Sequence, residues 1–113
     1  NVVKVVSDQI GSPTNATDLA QVLFTIIPSI NNKDVEIYHY SNKGICSWYQ
    51  FAQEIATLMQ SKCKVIPILS KDFNSKVKRP KYSLLNTEKV QQTFHIEILS
   101  WQDSLKQCLN KIN

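Results

Sequence analysis

The sequence predicts an α/β fold, and three observations predict it. Residues 2–6 are an apolar, β-branched run, Val2-Val3-Lys4-Val5-Val6, suited to a strand. Two later stretches carry apolar residues at helical spacing: Leu19, Val22, Leu23, Ile26 and Ile27, then Trp48, Phe51, Ala52, Ile55, Leu58 and Met59. Between them, Val35, Ile37 and His39 alternate with Glu36, Tyr38 and Tyr40 at the period of a strand. Strand and helix signals therefore alternate along the chain, which places it in the α/β or α+β class.

The opening run reads as a buried strand that gives way to turn chemistry at residues 8–14. Thr14 or Asn15 is placed to cap the first helix, Asp18 lies early enough to favour its positive end, and Pro28 stops it. Residues 31–34 form a polar turn and 35–40 a strand that ends at Ser41-Asn42-Lys43-Gly44. Ser47-Trp48-Tyr49-Gln50 has the S-x-x-Q form of a capping box, opening a helix whose stripe places Trp48 in the core. Lys64 to Leu69 reads as a short strand that Pro67 confines to a sheet edge. An exposed basic loop follows at residues 71–82, with Lys71, Lys76, Lys78, Arg79 and Lys81. Asn86 caps a short helix through Phe94. Ser100 and Asp103 cap a last one, on which Trp101, Leu105, Cys108, Leu109 and Ile112 share a face.

Composition narrows the function. At 113 residues and 42% hydrophobic content the chain suffices for one domain, 1–113, with a core. Two Gly and four Pro argue against a collagenous or disordered polymer. No apolar run approaches the roughly 20 residues that cross a bilayer, so no membrane partner is expected. No secretion signal opens the sequence, and cytoplasm is the expected compartment. The chain enters a strand at once without an initiating Met, which reads as a piece of a longer protein. An edge of the first strand left unpaired invites self-association, so a homodimer is allowed for. Cys46, Cys63 and Cys108 are odd in number and lack metal-like spacing, so they read as reduced, non-catalytic thiols. His39 and His95 likewise read as structural. The net charge of +4 raises nucleic-acid binding as an alternative, but nine acidic residues are interspersed and no recognition motif occurs.

Four phrases, in order, carry a resemblance that spans most of the chain. Val5-Val6-Ser7-Asp8-Gln9-Ile10-Gly11-Ser12-Pro13-Thr14 with Thr17-Asp18-Leu19-Ala20 is the first, and Ile37-Tyr38-His39-Tyr40-Ser41 with Ser47-Trp48-Tyr49-Gln50-Phe51-Ala52 the second. Arg79-Pro80-Lys81-Tyr82-Ser83-Leu84-Leu85-Asn86-Thr87-Glu88-Lys89 is the third, and Trp101 with its helix the last. Together they resemble the C-terminal portion of dTDP-4-dehydrorhamnose reductases, extended short-chain dehydrogenase/reductases. The resemblance implies the substrate-binding part of a Rossmann-type enzyme whose cofactor-binding half is absent from this chain. It implies a parent that reduces the 4-keto group of dTDP-4-dehydro-6-deoxy-L-mannose to give dTDP-L-rhamnose for cell-surface polysaccharide. NADPH or NADH would supply hydride, held by the N-terminal Rossmann domain, and Mg²⁺ is a dependence of some members. A non-catalytic relative serves as a regulatory subunit of methionine adenosyltransferase, but the residue 8–14 stretch is closer to the reductase form.

The chemistry itself is not encoded in these residues. Gly11 and Gly44 are the only glycines and stand far apart, so no Gly-rich dinucleotide fingerprint exists. Tyr38, Tyr40, Tyr49 and Tyr82 have no Lys four residues on, so the family's Tyr-x-x-x-Lys proton donor is missing too. The fragment alone is expected to be inactive, with no catalytic, cofactor or metal residue of its own. Three residues are candidates for the dTDP-sugar. Gln9, at a strand end, would hydrogen-bond sugar hydroxyls or the nicotinamide side, while Asp8 and Thr14 alternatively brace the turn. Arg79 would pair with the diphosphate through its planar fork. Trp48 and Tyr49 open a helix beside a loop, where an aromatic would stack on a base or sugar; Trp48 lies on the apolar stripe and reads as core, which leaves Tyr49, off the stripe, as the candidate.

Overall fold

The computed structural model describes residues 1–31 and 33–112. Asn32, inside the polar turn expected at 31–34, lies outside the described residues, as does Asn113. Four strands and four helices are formed: β1 (Val2–Val6), β2 (Ile10–Gly11), α1 (Ala16–Ile26), β3 (Cys46–Ser47), α2 (Trp48–Leu58), β4 (Lys64–Ile68), α3 (Glu88–Phe94) and α4 (Trp101–Ile112). β1 and β4 pair in parallel, with Val2 opposite Lys64 and Val6 opposite Ile68. A parallel pair needs a long crossover, and its last part is α2, which packs on both strands. Pro67 lies opposite Val5 in a strand with one open side, the edge position its missing N–H calls for. β1 is thus paired, but it is not the buried strand its composition predicts: Val2 and Val3 are exposed and only Val6 is buried.

The caps read from sequence at Asn15, Ser47 and Ser100 are formed, whereas the N-cap of α3 is Thr87 and Asn86 stands one residue before it. Asn15 accepts from the Thr17 N–H at 2.9 Å to open α1. Ser47 accepts from the Gln50 N–H at 3.1 Å while the Gln50 side chain accepts from the Ser47 N–H at 2.8 Å, a reciprocal box worth about 1 kcal/mol. Asn86 accepts from the Glu88 N–H at 2.8 Å, and Ser100 from the Asp103 N–H at 3.1 Å. α3 ends where His95 takes the left-handed conformation.

The core gathers where α2 meets α4. Cys46, Trp101 and Leu105 are buried together, and Phe51, Ile55, Leu58 and Leu109 pack against them. Phe51 meets the Trp101 ring edge-on at 5.8 Å. Above this core lies a polar knot that composition did not announce. Asn42, 2% exposed, accepts from the Asn15 N–H at 2.8 Å and donates to Asp18 Oδ2 at 2.7 Å and to the Leu99 carbonyl at 3.3 Å. The Ser104 hydroxyl donates to the same Asp18 oxygen, and the Ser12 hydroxyl to the Asn42 carbonyl. Asp18 is therefore more than a favourable charge at a helix start. It joins α1 to α4 through a side-chain network whose members are all satisfied.

Residues 35–40 correct a further expectation, because no strand forms there. The alternation itself survives. Glu36 accepts an ion pair from Lys89 at 2.6 Å, Tyr38 packs on Phe94 at 5.0 Å, and the Lys89 ammonium sits 4.7 Å over the Tyr38 ring. The opposite set faces solvent, with Val35 94% and Ile37 67% exposed. A strand requires a ladder partner, and among the described residues the segment packs on the side chains of α3 without pairing its backbone to another extended segment. The first helix also leaves an apolar face outward. Of its apolar stripe only Ile26 is buried, while Leu19, Leu23 and Ile27, with Phe24 beside them, are exposed.

The molecule is accordingly open. Its radius of gyration is 16.7 Å, where a compact chain of this length has about 13 Å. Its solvent-accessible surface is 8619 Å², against about 6,300 Å² for a folded monomer of this mass.

Candidate functional site: a cleft at the ends of three short segments

Three extended segments lie side by side on one flank. β2 pairs antiparallel with β3, Ile10 opposite Ser47 and Gly11 opposite Cys46. On the other side of β2, the Ile10 N–H donates to the Lys81 carbonyl at 2.8 Å and the Ser83 N–H to the Ile10 carbonyl at 3.0 Å, a parallel bridge to Tyr82. Antiparallel pairing brings the residue before Ile10 beside the residue after Ser47. Parallel pairing brings the chain before Tyr82 to the same end. Register alone therefore collects Gln9, Trp48 and the Arg79-Pro80 step at one edge. Gly11 permits the close approach, since a Cβ there would stand 3.1 Å from Ser83 Oγ.

Two clefts open at that edge. The smaller, about 310 Å³, runs along Ile10 to Pro13, Cys46, Ser47, Pro80 and Ser83, and Arg79 is the sole charged residue lining it. The larger, about 1330 Å³, is lined by six cations, Lys4, Lys71, Lys76, Lys78, Arg79 and Lys81, against one carboxylate, Asp8. Gln9, Trp48 and Arg79 line both clefts and form their junction. Two of the three residues expected from sequence are thus brought together. Tyr49 is half-buried and lines neither cleft.

Trp48 takes the place expected of Tyr49, and this corrects its assignment to the core. The apolar stripe of α2 turns inward from Phe51 onwards, but at the first helical position the indole projects beyond the packed layer and is 53% exposed. The sequence carried one signal of this: Trp48 follows the N-cap, where a side chain belongs to the helix end as much as to its face.

Asp8 and Gln9 share a partner. Asp8 Oδ1 accepts from the Ser70 N–H at 2.8 Å and from the Ser70 hydroxyl at 2.6 Å, and Gln9 Nε2 donates to Ser70 Oγ at 3.0 Å. The Ser70 hydrogen bond holds the Asp8 carboxyl below the ordinary carboxylate range. Asp8 thus braces the loop that starts the basic segment, while the Gln9 amide oxygen accepts no hydrogen bond from the described residues. Cys46 borders the smaller cleft, but burial pushes its thiol up to about 11, the opposite of an activated nucleophile. Among the described residues no three His, Cys, Asp or Glu side chains converge as a metal site would require. No helix among them is long and apolar enough to cross a membrane.

The chain is thus an α/β unit with a cationic, aromatic-edged cleft, the character of a domain that binds an anionic ligand. The chain belongs to the family described as RmlD substrate binding domain, whose model matches residues 1–113. It is 35% identical to the dTDP-4-dehydrorhamnose reductase of Aggregatibacter actinomycetemcomitans, over 94% of this chain and 39% of that protein. It is 34% identical to the spore coat polysaccharide biosynthesis protein SpsK of Bacillus subtilis, over 96% of this chain and 37% of that protein. The crystal structure of dTDP-4-dehydrorhamnose reductase from Bacillus anthracis, solved in complex with NADP, superposes with a TM-score of 0.89 at 32% identity, covering 98% of this chain and 38% of that one. The Clostridium acetobutylicum reductase superposes at 0.87 with 38% identity, over 98% of this chain and 39% of that one. The chain thus spans about two fifths of the length of the relatives it matches.

Proposed function

We propose that residues 1–113 are a single substrate-side domain of a reductase that converts dTDP-4-dehydro-6-deoxy-L-mannose to dTDP-L-rhamnose, in nucleotide-sugar and cell-surface polysaccharide biosynthesis. The observation that carries the reading is the junction of Gln9, Trp48 and Arg79 beside a cleft lined by six cations. A nucleotide sugar presents a diphosphate between two neutral rings. Arg79 offers a planar pair of donors to the phosphate oxygens, and the neighbouring lysines add positive field that also speeds encounter. The Gln9 amide oxygen and its second N–H are placed to hydrogen-bond a sugar hydroxyl. Tyr49, half-buried on α2 and outside both clefts, carries no part of this reading.

NADPH, or NADH, supplies the hydride in this reading, held by an N-terminal Rossmann domain. The residues of this chain do not fit a dinucleotide, and their part is to bind and orient the sugar. The Mg²⁺ of some reductases finds no converging ligand set among the described residues, so no step of binding is routed through it. The surface in excess of a compact monomer, roughly 2,300 Å², is of the size that an obligate interface buries. The outward faces of α1 and residues 35–40 supply apolar area for it, and the Rossmann half is the occupant we assign to them. The open outer edge of β1 supports a homodimer. A cytoplasmic setting fits an enzyme that consumes NADPH.

The test is a reductase assay of the full-length protein. NADPH oxidation dependent on the dTDP-4-keto sugar is expected, with Arg79→Ala raising KM for the sugar about tenfold or more, the range for one charge-assisted contact. No turnover with any dTDP-4-keto sugar, or an Arg79→Ala variant with unchanged KM, contradicts the reading.

A further inference from the structure

Trp48 stands out within its own helix. Phe51, Ile55 and Leu58 of α2 pack on the buried Cys46, Trp101 and Leu105, yet Trp48, the largest apolar side chain of the helix, is left half in water. A buried Trp contributes 150–250 Å² of contact at roughly 25 cal/mol per Å², and the fold leaves much of that contribution unused here. The indole is nevertheless anchored. Its backbone follows the reciprocal Ser47–Gln50 cap and the paired strand β3, so its place at the cleft edge does not depend on a mobile loop.

The two clefts that meet at Trp48 differ in charge. Apart from Arg79 the smaller has neutral walls, among them Ile10, Pro13, Ser47 and Pro80, and its volume of about 310 Å³ is at the low end for a small-ligand pocket. The larger is cationic. A flat indole beside a guanidinium, at the point where a neutral cleft passes into a cationic one, matches a base joined to a diphosphate. The other ring of a nucleotide sugar has to reach a hydride donor and a proton donor, and this chain encodes neither. The group retained in the neutral cleft is then the nucleoside.

We infer that Trp48 is a base-stacking residue at the mouth of the smaller cleft, a recognition element for the nucleoside end of the ligand rather than for the sugar. This rests on the reading of the clefts as the dTDP-sugar site. Stacking is tolerant of base identity because every base has a π-face, so the subsite selects for an aromatic base over none.

Calorimetric titration of the full-length protein, saturated with NADP⁺ to fill the cofactor site, separates the two readings. The probes are dTDP and inorganic pyrophosphate. Trp48→Ala is expected to weaken dTDP about 5- to 150-fold, the span measured for one base on one aromatic, and to leave pyrophosphate within about twofold. Trp48→Phe is expected to restore most of the affinity, because a phenyl ring keeps a π-face for the base. Arg79→Ala should weaken both probes. If Trp48→Ala leaves dTDP unchanged while Arg79→Ala weakens it, stacking is overturned and the nucleotide cleft stands. If Trp48→Ala weakens both probes equally, the indole shapes the cleft without stacking, and the inference is overturned. If dTDP does not bind the unmodified protein, or neither variant affects it, both readings fall together.

Discussion

The end of the molecule where α2 meets α4 is closed, whereas the side formed by α1 and residues 35–40 is open. Both were written in the same language of periodic apolar residues. In α4 the stripe finds Phe51 and Leu58 opposite and buries Trp101 and Leu105. In α1 an equally regular stripe leaves Leu23 and Ile27 in water, next to a segment whose Val35 and Ile37 also point outward. The difference lies in the partner and not in the pattern. An amphipathic face specifies that it is to be covered, and says nothing of which polypeptide covers it. The chain spans about two fifths of the length of its relatives, and in the reading proposed above this open, apolar side is the surface assigned to the Rossmann half.

Substitutions on the two sides should therefore separate stability from association. The largest effect belongs to the closed end. Trp101→Ala is expected to destabilise by about 3–5 kcal/mol, through lost transfer and a residual cavity, measured as the shift of a urea unfolding midpoint. A loss below 1 kcal/mol would show that this core carries little of the fold. Asn42→Ala comes next, at about 2–3 kcal/mol by the same measurement, because it strands the Asn15 N–H and leaves the Asp18 carboxylate one donor short. Ser47→Ala, which opens the capping box under Trp48, should cost about 1 kcal/mol.

On the open side the expectation reverses. Val35→Ser and Ile37→Ser together should change the stability of the 113-residue chain by less than about 0.5 kcal/mol per site, as at other exposed positions. In the full-length protein the same pair should lower thermal stability or release the Rossmann half to limited proteolysis. Equal effects in the two contexts would mean that this face is not an interface. The smallest effect concerns pH. The folded state holds the Asp8 carboxyl below its ordinary range, so the folded protein binds that proton less readily than the unfolded chain. The Asp8–Ser70 contact therefore adds stability in full above the ordinary carboxylate range, and this is lost as pH falls through the depressed value. Melting temperature followed below about pH 5 should fall less steeply in Asp8→Asn than in the unmodified chain.

Local chemistry was legible. The S-x-x-Q box at Ser47, the Ser100 cap, the edge position of Pro67 and the exposure of residues 71–82 all depend on groups a few residues apart, and all are formed, while the cap of α3 falls one residue on from Asn86, at Thr87. Gln9 and Arg79 were legible as a pair of site candidates through the phrases around them, and the register of three short segments brings them to one edge. Trp48 was misplaced because helical periodicity assigns a face but not a depth, and a first-turn residue projects past the layer its successors bury. Asn42 was read as turn residue for a related reason. Its three side-chain hydrogen bonds run to residues 24, 27 and 57 positions away, and no local pattern records such distances.

By itself, then, the sequence determined where helices start and stop, which residues alternate, and that a nucleotide-sugar reductase was the relevant comparison, since each of these is set by short-range spacing or by residue identity. The tertiary structure alone decided which apolar faces find partners, which aromatic stands at the cleft, and that residues 35–40 remain extended without becoming a strand. Those outcomes depend on what lies across a gap in space, and burial and pairing are properties of two surfaces, of which a single stretch of sequence writes only one.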